Sequence, residues 1–160
     1  MNDEEFIREA LNDLKVLAPS GYALAFQIEF TTPTFLFQSY PKEWIRQYSE
    51  KGLVMSDPTV HWGFENEGFV RWSDLLPSDS AEVLKQASDY GLKYGLTCSV
   101  NFDGERSFAS FARDDREFSD DEASVLLGKV DELHTQTAKI RTASPEATQA
   151  LQRISVDFSA

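Results

Sequence analysis

The sequence is poor in the residues that most protein chemistries require. It holds one cysteine, Cys98, and two histidines, His61 and His134. A single cysteine excludes an internal disulfide. The histidines show no metal-ligand spacing such as two His on one helical turn with a Glu, and no Gly-x-Ser-x-Gly elbow occurs. Cys98 falls inside an expected strand, where a thiol is usually a small buried residue. Nothing therefore nominates a catalytic group, and neither an enzyme nor a cofactor is expected. Cations are also scarce: 15 Lys and Arg stand against 27 Asp and Glu, a formal net charge of −12. Nonspecific nucleic-acid affinity rests on clustered Lys and Arg, so this segment alone should not bind DNA. No apolar run approaches the about 20 residues of a membrane span. The N-terminus, MNDEEFIREALNDL, is acidic where a secretory signal is basic and then apolar. With the lone cysteine, this leads us to expect a cytoplasmic chain. There are no internal repeats and no low-complexity segments.

What is present is enough for one domain, 160 residues with 41% apolar content. Phe6, Ile7, Ala10, Leu11, Leu14 and Leu17 recur at helical spacing behind an Asp3 cap, up to Pro19-Ser20-Gly21. In the strand that follows, Tyr22, Leu24, Phe26, Ile28 and Phe30 form a large-residue face opposite Ala23, Ala25, Gln27 and Glu29. Thr31-Thr32-Pro33 breaks it, and Phe35 to Ser39 reads as a second strand, pairing antiparallel with the first. Helices follow over Lys42 to Lys51, after Asp57-Pro58, and over about Ala81 to Tyr90. Leu96 to Phe102 and Arg106 to Arg113 flank Asp103-Gly104 as a hairpin. Ser119 and Glu122 form a capping box opening a long helix, whose stripe of Leu126, Val130, Leu133, Thr137 and Ile140 can pack on the sheet or on a second copy. Ser144-Pro145-Glu146 starts a further helix with Leu151 and Ile154 on its apolar side. This order points to an α+β fold, an α/β/α sandwich with helices on both faces of an antiparallel sheet.

The stretch from Tyr40 to Trp72 gathers Tyr40, Trp44, Tyr48, Trp62 and Trp72 around one carboxylate, Asp57. Aromatic walls with few polar groups are how a small amphipathic molecule is usually held. Asp57 also fits a plain helix cap, and the two roles can coexist. An isolated Trp44-Tyr48 pair at helical spacing would be ordinary core.

The spacing Tyr40-x3-Trp44-x3-Tyr48, then Gly52, Asp57-Pro58-Thr59, Trp72, Tyr90-Gly91-Leu92, Tyr94-Gly95-Leu96-Thr97, Gly104-Glu105 and Ser110-Phe111 resembles the autoinducer-binding domain of LuxR-type quorum-sensing regulators. The resemblance implies a central five-stranded antiparallel sheet and a homodimeric sensor of N-acyl-homoserine lactones. It also implies that DNA is reached only through a separate helix-turn-helix domain. Residues 1–142 would form the sensor, and 143–160 a linker and the possible start of a truncated or missing DNA-binding domain. By the same resemblance, the Trp44 indole donates to the lactone carbonyl, Asp57 accepts from the ligand amide, and Tyr40 and Ser110 donate to the amide carbonyl. Thr59 steadies Asp57. Tyr48, Val60 and Trp72 wall the head group, with Val83, Leu84, Ala87 and Leu92 as further lining. A slip of one residue would aim Phe111 rather than Ser110 at the ligand. The chain departs from the family pattern at Ser99, where proline is frequent, and at Arg106-Ser107, where an apolar-Gly pair is common. The other reading is a stand-alone sensor-like module that heterodimerises with a full-length regulator and modulates it.

Overall fold

The computed structural model describes residues 2–159. Helix α1 (Asp3–Leu17) is capped by Asn2, whose side chain accepts from Glu5 N. Asp3 is thus the first helical residue, and not the cap. The strands are β1 (Gly21–Glu29), β2 (Thr32–Gln38), β3 (Gly68–Arg71), β4 (Tyr94–Phe102) and β5 (Glu105–Arg113). They form a five-stranded sheet in the order β2-β1-β5-β4-β3, with every neighbouring pair antiparallel. Pro33 lies within β2 because β2 is an edge strand whose only sheet neighbour is β1, so its missing N–H costs no ladder bond. Asp103 and Gly104 both take positive φ, 53° and 82°, which suits a two-residue turn of the hairpin type.

One sheet face is dry. Helix α1, the long α6 (Asp120–Ala143) and α7 (Pro145–Ser159) cover it, and Tyr22, Leu24, Phe26, Phe35, Phe37, Leu96 and Phe111 fill the interface. The α6 stripe lies entirely in this core, with Leu126 and Thr137 fully inaccessible. It packs on the chain's own sheet, so it is not a free surface for a second copy. Leu151 and Ile154 of α7 are buried in the same core. The other face carries α2 (Lys42–Glu50), α3 (Pro58–Glu65), α4 (Trp72–Leu75) and α5 (Val83–Ser88), with short 3-10 turns at Leu53–Ser56 and Leu76–Ser78. Helix α5 is shorter than the sequence pattern suggests, because Asp79 accepts from Val83 N and Leu84 N and so sets its start.

The alternation in β1 fails after Phe26. Gln27 takes φ 55°, and the pairing with β5 shifts register between Ala25 and Ile28. This bulge turns Ile28 away from the dry core and leaves Phe30 98% exposed, so neither belongs to the large-residue face. A buried polar network holds the bulge. Gln27 N donates to Ser107 Oγ, and its Nε2 donates to His134 O and Thr137 Oγ1. Ser107 Oγ lies 2.6 Å from His134 Nδ1. Since Ser107 already accepts from Gln27, its O–H is free to donate to the ring.

Burial, with a smaller contribution from Arg141, holds His134 below the usual imidazole range against the opposing pull of Glu105 and Asp131. The unfolded chain then takes up the proton first, so stability is full above about pH 6.5 and falls as pH drops through the unfolded value. Melting wild type and His134→Asn between about pH 7 and about pH 5.5 should show a steeper acid loss in wild type. Parallel curves would refute a role for His134.

Candidate ligand-binding site

The second face does not close on its helices. Helix α2 starts behind Pro41 and ends before Gly52, whose φ of 60° lets the chain turn into the 3-10 segment and reach Asp57. Trp44 and Tyr48 lie one turn apart on the same face, edge to face at 5.8 Å, and Trp44 also lies 5.5 Å from the Tyr90 ring. Opposite them, β1 presents the small side chains of Ala23 and Ala25, with Ile28 beyond the bulge. The space between is a cavity of about 800 Å³, within the range of roughly 300–1,000 Å³ typical of small-molecule sites.

Asp57 is the polar centre. It caps α3: Oδ1 accepts from Thr59 N at 2.9 Å and Thr59 Oγ1 at 2.7 Å, while Oδ2 accepts from Tyr48 Oη at 2.7 Å. Each carboxylate oxygen can accept about two hydrogen bonds. Oδ1 is therefore satisfied and Oδ2 retains one lone pair. The Tyr40 hydroxyl is buried in the same cavity without a protein partner. Burial first, and the negative charge of Asp57 second, push the Tyr40 phenol far above its usual range; Tyr48 is raised by the same two causes. Both stay protonated donors.

A second polar chain lies across the cavity. Trp72 Nε1 donates to Thr97 Oγ1 at 3.1 Å, and Thr97 Oγ1 lies 2.7 Å from Ser110 Oγ. If the Thr97 O–H donates to Ser110 Oγ, the Ser110 O–H is left to donate into the cavity. Trp72 reaches this position because residue 95 is glycine: a Cβ there would stand 1.8 Å from the Trp72 ring.

The cavity brings together Tyr40, Trp44, Tyr48, Asp57, Thr59, Val60, Trp72, Val83, Leu84, Ala87 and Ser110. Ser110 faces it and Phe111 faces the dry core, which fixes the register of β5. Two residues stand elsewhere than expected. Leu92 is buried after the α5 turn, where its N donates to Ala87 O, and fills the cluster behind the cavity rather than lining it. Trp62 is partly buried against that same cluster. Tyr48 and Trp72 supply hydrogen bonds as well as wall. The sequence reading missed Ile28, Phe64 and Phe108; the last two rings meet edge to face at 5.1 Å. The small alternate residues Ala23 and Ala25 were the signal that one sheet face leaves room.

The departures at Ser99 and Arg106 form a clasp beyond this wall. Ser99 Oγ and Arg106 Nη1 both donate to Gly63 O, and Arg106 also reaches Asn66 O. They tie α3 to the sheet where Gly63 lies against the Phe108 ring. Among the described residues no three His, Cys, Asp or Glu side chains gather as a metal site, and burial pushes the Cys98 thiol up to about 12. No helix of the described residues is long and apolar enough to cross a membrane.

Residues 21–135 match the family model described as Autoinducer binding domain. The chain is 28% identical over 156 residues to the transcriptional activator protein PhzR of Pseudomonas fluorescens, covering 95% of this chain and 61% of that protein. It is 32% identical over 121 residues to the quorum-sensing regulator RhlR of Pseudomonas aeruginosa, covering 72% and 50%. It thus spans half to three-fifths of the length of these relatives. The crystal structure of Escherichia coli SdiA superposes with a TM-score of 0.66 at 24% identity, covering 91% of this chain and 63% of that one. That likeness concerns the fold.

Gly95→Ala should force Trp72 out of the wall and break its bond to Thr97. Overpacking of this kind costs about 1–3 kcal/mol, or roughly 2–12 °C in a domain of this size. A thermal melt read by tryptophan fluorescence checks it, and an unaltered midpoint with unaltered emission would contradict the packing.

Proposed function

The chain belongs to the autoinducer-binding domain family of LuxR-type quorum-sensing regulators, and from that premise we propose that it binds an N-acyl-homoserine lactone between the sheet and helices α2 to α5. The observation that carries this reading is the presence of Tyr40 Oη and Asp57 Oδ2 in one cavity. One is a buried donor without a protein partner; the other is an acceptor with one free lone pair. Together they complement the two ends of an amide, its carbonyl and its N–H. The Trp44 indole then serves the lactone carbonyl and Ser110 supports the amide carbonyl. Val60, Val83, Leu84 and Ala87 provide apolar wall.

A hydrogen bond to a charged group contributes about 1.5–3 kcal/mol, so Asp57 dominates recognition of the head group. The reading is that of a binding site, and it assigns no catalytic group. The domain acts as the cytoplasmic sensor of a dimeric transcriptional regulator, with DNA contacted by a separate helix-turn-helix domain. The heterodimerising module has less support, since its motivating stripe on α6 lies in the chain's own core.

Thermal melts of the domain against acyl-homoserine lactones test the reading. A ligand at one hundred times its Kd stabilises the native state by about 2.7 kcal/mol, a rise of roughly 5–11 °C. Asp57→Asn keeps an acceptor for the α3 cap and should lose most of that rise while changing the unliganded midpoint little. A lactone response that survives Asp57→Asn intact would remove Asp57 from recognition. The absence of any response from folded wild type would remove the lactone.

A further inference from the structure

The cavity has enclosed polar groups and an exposed rim on which apolar side chains stand beside Thr31, Ser49 and His61. Tyr40 Oη is fully enclosed, and Trp44, Trp72 and Asp57 are 4%, 6% and 7% exposed. At the other end Leu36, Val54 and Met55 line the same cavity yet remain 39%, 47% and 79% exposed. Apolar side chains grouped around an opening are uncommon on a soluble surface without a role, and covering them is favourable.

This rim is held in place. Val54 and Met55 ride on the 3-10 segment between Gly52 and Asp57, and His61 Nε2 donates to Met55 O at 2.9 Å. The α3 helix that carries His61 is the one Asp57 caps. The polar end and the apolar mouth are therefore parts of one unit. On the sheet side, the bulge at Gln27 is what turns Ile28 toward the cavity between the two ends.

Building on the acyl-lactone reading above, we propose that the ligand is of the long-chain class, seated head first, with its tail leaving through the mouth formed by Leu36, Val54 and Met55. The proximal methylenes lie enclosed along Val60, Ile28 and Phe108, and the distal ones cover the exposed rim. Two consequences separate this from an enclosed tail pocket. Affinity should rise by roughly fourfold per methylene while the tail is enclosed, then level off on the rim without a penalty for further length. A bulky group at the end of the tail should also be accepted, because it lies in solvent.

The test measures Kd for unlabelled lactones from butanoyl to hexadecanoyl, and for a dodecanoyl lactone bearing a fluorophore on its terminal carbon. The expected result is a rise to a plateau, with the labelled ligand within about threefold of its unlabelled parent. Met55→Glu and Val54→Glu, which place a charge on the rim, should weaken the tetradecanoyl lactone several times more than the hexanoyl one. A sharp optimum at medium length, with the labelled ligand bound more than about a hundredfold worse, overturns the open mouth and leaves the lactone reading intact. If no lactone of any length binds folded protein, both fall together. Equal losses for short and long lactones in the rim variants also overturn it, because the tail would then not reach the rim.

Discussion

The second half-layer of this domain depends on one carboxylate. Asp57 closes the first turn of α3 through one oxygen and holds Tyr48 of α2 through the other. Helices α2 and α3 are thereby fixed to each other across a short connection. A buried carboxylate is costly to isolate and strongly held once it is hydrogen-bonded, so its three donors define where both helices sit. The cavity is the space left beneath that fixed pair.

The two faces of the sheet reach different solutions from the same backbone. On the dry face, alternating Tyr22, Leu24 and Phe26 meet α1 and α6 at the density normal for a protein interior. On the other face, Ala23 and Ala25 stop short of the helices, and large rings stand at the margins, with Trp72 admitted by Gly95. A bulge at Gln27 moves β1 from one pattern to the other, and Ser107 with His134 anchors it. The residues that depart from the family pattern at 106 and 107 are thus hydrogen-bonded parts of the wall and of the bulge anchor.

Much of this was legible in the chain because local rules govern it. The Ser119-Glu122 capping box, the Asp103-Gly104 turn and the Asp57-Pro58 helix start are specified by short-range hydrogen bonds and backbone preferences, and each stands where its residues indicate. Strand β3 was not legible in the alternation, since four residues at a sheet edge carry too short a pattern. The bulge escaped for a related reason: Gln27 leaves the expected alternation because of a partner 80 positions away, Ser107. At the site, aromatic spacing singled out the helical half. The sheet half, with Ile28 and Phe108, depends on register and twist. The hydrogen bonds of Tyr48 and Trp72 required knowing which hydroxyl each ring meets.

Helix α7 does more than cover apolar surface. Beside the buried Leu151 and Ile154, Gln152 Nε2 donates to Thr34 O at 3.1 Å, on the strand that ends the sheet. An unpaired carbonyl on such a strand is an invitation to another chain's backbone, and aggregation by edge-to-edge growth begins from such groups. By occupying this carbonyl the helix takes away one acceptor that the edge would otherwise offer, and β3 at the opposite border is only four residues long. Removing the segment that carries Gln152 would therefore bare a strand edge as well as the core beneath Leu151 and Ile154.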